Sequence, residues 1–326
     1  MTTDPSAPGR RGLLRPGPSL AVLLLLSGWA SAQTAPHPLP RMKPSEAATA
    51  YKKEIGREPS TWRWNVPVEL PHLTHGVVHS PSMDRDIGYN IYLPPSYADN
   101  PSLRYPVVYY CHGATGSESS DTPVVEYVIA ELAAGRIGDV IYVFVNAGHF
   151  SGYRDNPASG VLAETYLMRE LIPEIDRRYR TLASRQGRAL MGFSMGGGGA
   201  TRLALAHPDA FCAVASFAGA LDANPDLPAG ADERAPVDPA NSVYHWAKVH
   251  ADQIKHNLAL YFFVGDQDRL YGRNAAFVDF LHQQGIGFDY RVMAGLGHDL
   301  WGSMALCGAE AVRFLAAHYE PARAAE

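Results

Sequence analysis

The chain has 326 residues, of which 46% are hydrophobic, and a formal net charge of −5 at pH 7. This length and hydrophobic fraction suit one globular domain with a large core. No basic patch or lysine-rich run is present, so we expect no binding to nucleic acid.

The first 32 residues have the pattern of an export signal. Three arginines precede the apolar run Leu20–Leu26, and Ala30-Ser31-Ala32 supplies the small residues that signal peptidase requires. The apolar run is too short to span a bilayer, so we expect no stable membrane anchor. We predict cleavage after Ala32 and a secreted or periplasmic protein. Arg10-Arg11 loosely resembles a twin-arginine signal, but general secretion fits equally, and the sequence leaves the route open.

The three cysteines are an odd number, so at least one of them has no partner within the chain. Cys111 lies in a strand-like run and is expected to be buried. A bridge between Cys212 and Cys307 stays open. No C-x-x-C or paired-histidine spacing is present, and we predict neither a metal nor a cofactor.

We expect residues 33–74 to form a proline-rich arm or linker, with one short helix near Ser45–Ile55. The catalytic domain is assigned to residues 75–320. It begins with a predicted β-hairpin of strands Gly76–Ser80 and Ile87–Leu93, joined by the turn residues Pro81–Asp84.

Strands and helices then alternate. The predicted strands are Pro106–Cys111, Val140–Val145, Ala189–Met191, Phe211–Ala218, Leu258–Val264 and Phe288–Met293. The predicted helices are Pro123–Ala134, Glu164–Tyr179, Gly197–Ala206, Ala275–Gln284 and Gly302–His318, and a loop rich in proline and aspartate covers Leu221–Pro239. This alternation predicts a doubly wound, mostly parallel α/β sheet, with ligands bound beyond the carboxyl ends of the strands.

The pentapeptide Gly192-Phe193-Ser194-Met195-Gly196 is a G-x-S-x-G motif between a predicted strand and a predicted helix. In this context the glycines allow a sharp turn that exposes the serine hydroxyl at a strained apex. We predict that Ser194 is a nucleophile.

A serine hydroxyl is a weak nucleophile at neutral pH, so it needs a base, and the base needs an acid to orient it. His298 lies in the loop after the last predicted strand and is our candidate base. Asp266 and Asp268 both follow the preceding strand. We favour Asp268 as the acid and expect Asp266 to cap loop amides. Asp266 as the acid is the alternative, and Asp299 is the weakest candidate.

The tetrahedral intermediate needs backbone donors for its oxyanion. The Met195 amide follows the nucleophile, and the Ala114 amide lies in the H-G-x-x-G turn after the strand that ends at Cys111. His112 in this turn is expected to be a structural hydrogen-bonding residue, and His207 to end the helix that follows Ser194.

Several segments together carry a family resemblance that covers roughly residues 75–318. They are Leu93-Pro94-Pro95-Ser96-Tyr97, Tyr105–Gly113, Glu170–Asp176, Tyr179-Arg180-Thr181, Gly192–Gly197, Gly265–Asp268 and Gly297-His298-Asp299. This set resembles the esterase family of S-formylglutathione hydrolases, feruloyl and acetylxylan esterases, and mycolyltransferases. The resemblance implies an α/β-hydrolase fold, ester hydrolysis through an acyl-enzyme, and Asp268 as the acid. In many relatives the residue at the position of Ala114 is bulkier.

The export signal favours the feruloyl or acetylxylan type over S-formylglutathione hydrolysis, which is cytosolic chemistry. We therefore expect a small-molecule or polysaccharide-linked ester as substrate. Tyr153 and Trp301 are candidates for packing an aromatic or sugar group, and core packing is the alternative for both. Acyl transfer on the same fold and a non-catalytic binding role remain the alternative functions. The sequence does not indicate an oligomeric state.

Overall fold

The computed structural model describes residues 62–67, 70–223 and 238–324. The predicted export signal, the predicted helix Ser45–Ile55 and part of the loop Leu221–Pro239 lie outside these residues. Among the described residues, no helix combines the length and the apolar character needed to cross a bilayer.

The central sheet has eight strands. In chain order they are β1 (Leu73–Ser80), β2 (Arg85–Tyr92), β3 (Val107–Cys111), β4 (Ile141–Val145), β5 (Arg188–Phe193), β6 (Ala213–Phe217), β7 (Ala259–Gly265) and β8 (Asp289–Met293). Their spatial order is β1-β2-β4-β3-β5-β6-β7-β8. The hairpin β1–β2 and the pair β2–β4 are antiparallel, and the remaining neighbours are parallel. The predicted doubly wound, mostly parallel sheet with an N-terminal hairpin is confirmed.

Helices cover both faces of this sheet. They are α1 (Val125–Ala133), α2 (Ala163–Arg178), α3 (Met195–Ala206), α4 (Val243–Val249), α5 (Ala251–Asn257), α6 (Tyr271–Gln283) and α7 (Leu300–Ala316). Two buried apolar clusters result, one on each face. Strands β3 and β4 are buried along their whole length, which explains their continuous apolar sequences. Single-turn and two-residue elements complete the structure, among them Ser96–Asp99.

Helix α2 differs from the single regular helix predicted over Glu164–Tyr179. Its middle segment, Tyr166–Leu171, is π-helical between the α-helical segments Ala163–Thr165 and Ile172–Arg178. Pro173 explains the irregularity, because it has no amide hydrogen and its ring crowds the carbonyl one turn earlier. The Ile172 amide instead donates to the Leu167 carbonyl, five residues back. Hydrophobic spacing alone does not reveal such a change.

The end of the predicted arm lies against the sheet and its loops. The Trp64 carbonyl accepts from the Gly88 amide at 2.6 Å, and the Arg63 carbonyl accepts from Asn146 at 3.2 Å. The Val66 amide donates to the Glu118 carboxylate. Residues 62–67, hereafter the N-terminal strap, therefore bridge β2 and the loops that follow β3 and β4.

All three cysteines are buried and unpaired. Burial of Cys111 in β3 agrees with its apolar context. The bridge left open between Cys212 and Cys307 does not form in this structure, in which both thiols lie in the same apolar cluster.

Candidate active site

The three candidate catalytic side chains follow parallel strands and lie at the same edge of the sheet. Ser194 follows β5, Asp268 follows β7, and His298 follows β8. Because parallel strands end at one edge, residues 104 positions apart come into contact there. The site therefore lies where the predicted fold class binds ligands.

Ser194 occupies a strained backbone conformation between β5 and α3, with φ 55° and ψ −117°. Its amide donates to the Phe217 carbonyl and its carbonyl accepts from the Ala220 amide, both at 2.8 Å. A Cβ on Gly196 would lie 1.9 Å from the Cys111 carbonyl oxygen, so only glycine lets α3 begin this close to β3. The turn thus holds the serine hydroxyl in one place.

His298 lies between the serine and a carboxylate. Its Nε2 atom is 2.8 Å from Ser194 Oγ, and its Nδ1 atom is 2.8 Å from Asp268 Oδ2. The Asp268 side chain is buried, and its other oxygen accepts from the Leu270 amide at 2.8 Å. With Nδ1–H donating to this carboxylate, Nε2 is left as an acceptor facing the serine hydroxyl.

The other two aspartates of these loops have backbone partners. Asp266 accepts from the Gly295 amide at 2.8 Å and so ties the loop after β7 to the loop after β8. Asp299 caps α7 by accepting from the Trp301 amide at 3.1 Å. Of the three candidate acids, Asp268 is the one that forms the 2.8 Å contact with His298 Nδ1.

The two amides expected to bind an oxyanion both lie beside Ser194. Ala114 and Met195 line the same cavity as the serine. His112 supports the turn that carries Ala114, because its Nδ1–H donates to the Gly113 carbonyl at 2.8 Å and its Nε2 accepts from the Ala147 amide at 3.3 Å. This is the structural role expected for His112.

A cavity of about 230 Å³ opens at Ser194. A cavity of about 150 Å³ accommodates a benzene ring, so this one is large enough for a substituted ring or a short chain. Its described lining residues are Ala114, Phe150, Gly152, Arg154, Ser194, Met195, Gly198, Gly199, Ala220 and Arg269.

The two aromatic residues suggested for substrate packing are not part of this lining. Tyr153 is fully buried, with its ring against α3 at Gly199 and its hydroxyl donating to the His112 carbonyl at 3.1 Å. Trp301 is half-buried in the first turn of α7, against the apolar cluster on that face. Both positions match the core-packing alternative.

The cavity is also lined by Phe150, Arg154 and Arg269, which were not predicted from the sequence as site residues. Their signal was positional, since the first two follow β4 and the third follows Asp268. His207, expected to end a helix, is the residue after α3, and it also contacts Glu164 at 2.7 Å. Across the described ranges, no group of three or more His, Cys, Asp or Glu side chains could hold a metal ion.

This chain is similar to several proteins that are named as esterases. A family model described as "Putative esterase" matches residues 80–287, which include Ser194 and Asp268 and end before His298. A Mycobacterium tuberculosis esterase is 32% identical over 167 residues, covering 50% of this chain and 32% of its own length. An endo-1,4-beta-xylanase/feruloyl esterase of Xylanibacter ruminicola is 29% identical over 175 residues, covering 46% and 24%. The chain thus spans a third or less of the length of these relatives.

Solved structures show the same architecture. A ferulic acid esterase superposes with a TM-score of 0.65 at 28% identity, over 76% of this chain and 98% of that one. An S-formylglutathione hydrolase from Agrobacterium tumefaciens superposes with a TM-score of 0.62 at 20% identity, over 76% and 95%, a similarity that concerns the fold alone. With a strand–serine–helix turn on a mostly parallel sheet, this chain has the α/β-hydrolase fold and belongs to the esterase family.

Proposed function

We propose that this protein is a serine carboxylesterase, with Ser194 as nucleophile, His298 as general base and acid, and Asp268 as the residue that orients the imidazole. The observation that carries the proposal is the pair of 2.8 Å contacts from the two nitrogens of His298 to Ser194 and Asp268. This is the geometry that activates a serine hydroxyl, whatever order the residues have in a sequence.

In the first half of the reaction, Ser194 Oγ attacks the ester carbonyl while His298 Nε2 takes the hydroxyl proton. The carbonyl oxygen becomes an oxyanion, which the amides of Ala114 and Met195 would bind. Loss of one such donor typically slows the reaction about 10²–10³-fold. Asp268 stabilises the imidazolium through Nδ1–H.

The intermediate collapses when His298 returns its proton to the leaving alcohol oxygen, which leaves an acyl group on Ser194. A water molecule then attacks the acyl carbonyl, and His298 takes a proton from it. The second tetrahedral intermediate releases the carboxylic acid and restores the serine hydroxyl. No other group is needed to balance these steps.

For the substrate we propose an ester of the feruloyl or acetylxylan type, either free or attached to a polysaccharide. The 28% identical ferulic acid esterase structure supports this class. The cavity size supports it too, because a volume of about 230 Å³ has room for one aromatic ring with substituents.

We also propose that the protein is exported and that residues 1–32 are removed. The support is the sequence pattern of basic, apolar and small residues in that order. Mass spectrometry of protein recovered outside the cytoplasm is expected to find a mature N-terminus at Gln33, and an intact Met1 there would contradict this proposal.

The proposed chemistry is tested with Ser194→Ala and wild-type protein on p-nitrophenyl acetate and methyl ferulate. We expect the variant to lose about 10⁴-fold or more in kcat on both esters, because the nucleophile is gone while the binding surfaces remain. Equal rates for the two proteins would eliminate Ser194 as the nucleophile. Product analysis with an added alcohol separates hydrolysis from acyl transfer, since a transferase would form the new ester in preference to the free acid.

A further inference from the structure

The cavity beside Ser194 is cationic, although the whole chain has a formal charge of −5. Its charged lining residues within the described part of the chain are Arg154 and Arg269, and no carboxylate side chain is among them. The first turn of α3 also faces the cavity through Gly198. The amino end of a helix carries partial positive charge, which adds to that of the two guanidinium groups.

The charge of Arg154 is only partly neutralised by the protein. The carboxylate of Asp222 is 4.0 Å from Arg154 Nη2 and also accepts from the Val243 amide. Arg154 Nε is buried and has no hydrogen-bond partner. Burial lowers the pKa of Arg154, the charge of Arg202 lowers it further, and Asp222 acts in the opposite direction. A buried donor without an acceptor is costly, so the protein leaves the hydrogen-bonding capacity of this guanidinium group incompletely used.

Glu164, another carboxylate among the described residues, has its own cationic partners. Glu164 accepts from Arg202 at 2.8 Å and contacts His207 at 2.7 Å. Arg202 is fully buried and also donates to the Tyr153 carbonyl. Arg269, which also lines the cavity, is exposed and has no ion pair with any described residue. Among the described residues, the charge of Arg154 is therefore offset by Asp222 at 4.0 Å, and that of Arg269 by no ion pair.

The proposed mechanism determines which part of an ester enters this cavity. The leaving alcohol oxygen must lie near His298 Nε2 to receive its proton, and His298 is not part of the described lining. The lining does include Ala114 and Met195, on the oxyanion side of Ser194. The acyl group is the part of the substrate that points away from the imidazole, so it is the part that occupies the cavity.

We infer that the cavity binds an acyl group carrying an anionic oxygen at the end remote from the ester, held by Arg154 and Arg269. A guanidinium group is suited to this role because its planar donors match oxygen acceptors. The anionic oxygen can belong to a carboxylate or to the phenolate of a hydroxylated aromatic acid. Phe150, which is 67% exposed at the cavity, offers a ring face to such an aromatic group. This inference rests on the proposed ester hydrolysis.

The decisive comparison uses two esters of nearly equal shape and different charge, methyl 4-carboxycinnamate and methyl 4-nitrocinnamate. We expect wild-type kcat/KM to be at least about tenfold higher for the carboxylate, and this ratio to fall as salt rises from about 0.05 to 0.5 M because ions screen the attraction. Equal values for the two esters, together with a flat result in the phenolate series below, would overturn the inference and leave ester hydrolysis intact. Ser194→Ala tests the chemistry separately, because this variant is expected to lose activity on both esters.

Variants assign the effect to the two arginines. Arg269→Gln, at an exposed position, is expected to lower the carboxylate-to-nitro ratio about fivefold or more. Arg154→Lys keeps a charge at the buried position but loses the fork of donors, and it should also lower the ratio. Arg177→Gln removes an exposed charge paired with Glu174 on α2 and should leave the ratio unchanged. An equal loss on both esters in Arg269→Gln would contradict recognition of charge.

A second pair of esters distinguishes the two sources of the anion. The kcat/KM of methyl 4-hydroxycinnamate is divided by that of methyl 4-methoxycinnamate at about pH 7 and about pH 9.5, so that titration of the protein cancels. A ratio that rises with pH, and rises less in Arg269→Gln, assigns the site to phenolates. A flat ratio combined with preference for the carboxylate ester assigns it to carboxylates.

Discussion

Asp266 and Asp268 stand two residues apart after β7, yet they have different partners. Asp268 contacts His298, whereas Asp266 accepts from the Gly295 amide. The two residues are both aspartates, so the same substitution at each position separates the proposed catalytic role from loop capping.

We expect Asp268→Asn to lower kcat about 10⁴-fold, because an amide in place of the carboxylate favours the wrong tautomer of the imidazole. Asp266→Asn keeps an oxygen that can accept from Gly295 and should lower kcat less than about tenfold. Steady-state kinetics on p-nitrophenyl acetate checks both values. The reverse order of effects would reassign the acid to Asp266.

At the scale of single residues, the sequence was sufficient to predict the candidate nucleophile, base and acid. The serine motif, the aspartate and the histidine are each recognisable from local sequence, because each lies at or shortly after the end of a recognisable strand. Their order along the chain is the one expected for this fold. The lining of the cavity was not accessible in the same way. Tyr153 and Arg154 are adjacent, but the backbone of Tyr153 has a φ of 58°, and its ring enters the core while Arg154 faces the cavity. Loop dihedral angles decide such directions, and sequence patterns do not encode them reliably.

Among the elements, α3 depends on the closest backbone approach at the site. It begins directly after Ser194 and packs against β3 through Gly196, where a Cβ would lie 1.9 Å from one carbonyl oxygen and 2.6 Å from the next, that of His112. Backbone atoms cannot move aside as a flexible side chain can.

We therefore expect Gly196→Ala to displace α3 and to lower the free energy of unfolding by about 3 kcal/mol or more, because the added methyl group overpacks a rigid core. Gly272→Ala is the matched control, because a Cβ at this position in α6 meets no atom within 4 Å. The control should be neutral or up to about 1 kcal/mol more stable, since alanine favours helix. Urea denaturation of both variants measures the difference, and equal midpoints would refute the close-approach argument.

The alternation of elements was predictable because buried parallel strands have continuous apolar sequences and their crossover helices have apolar faces. The π-helical segment of α2 was not, because Tyr166–Leu171 keeps an ordinary helical hydrophobic spacing. Its cause, Pro173, is visible in the sequence, but a proline there is equally compatible with a kink or a helix start.

For the whole molecule, the N-terminal strap joins parts of the chain that are far apart in sequence. Glu118 connects the strap to the loop after β4, because one of its carboxylate oxygens accepts from the Val66 amide and the other accepts from Asn146 at 2.7 Å. Burial raises the pKa of Glu118 to about 8, against the lowering effect of these hydrogen bonds. Nothing in the sequence around Glu118 indicated a buried carboxyl group.

This raised pKa predicts a pH-dependent stability. Between the unfolded pKa of about 4.3 and the folded value, the unfolded chain releases a proton that the folded protein retains, so the free energy of unfolding falls as pH rises through this window. The slope for one group is at most about 1.4 kcal/mol per pH unit. Urea denaturation from about pH 5 to 9 should show the decline in wild type and in Glu126→Gln, which alters α1 alone. Glu118→Gln should lack it, and a decline of the same size in that variant would assign the effect to another group.

The three buried thiols have a consequence for where this protein can fold. No covalent cross-link has to form for the chain to reach this structure, because Cys111, Cys212 and Cys307 are all unpaired. Folding is therefore independent of the redox potential of the compartment, and an oxidising catalyst or a disulfide isomerase has no bond to make or reshuffle. The same structure can form in a reducing or an oxidising compartment, so it is compatible with both export routes considered for the predicted signal.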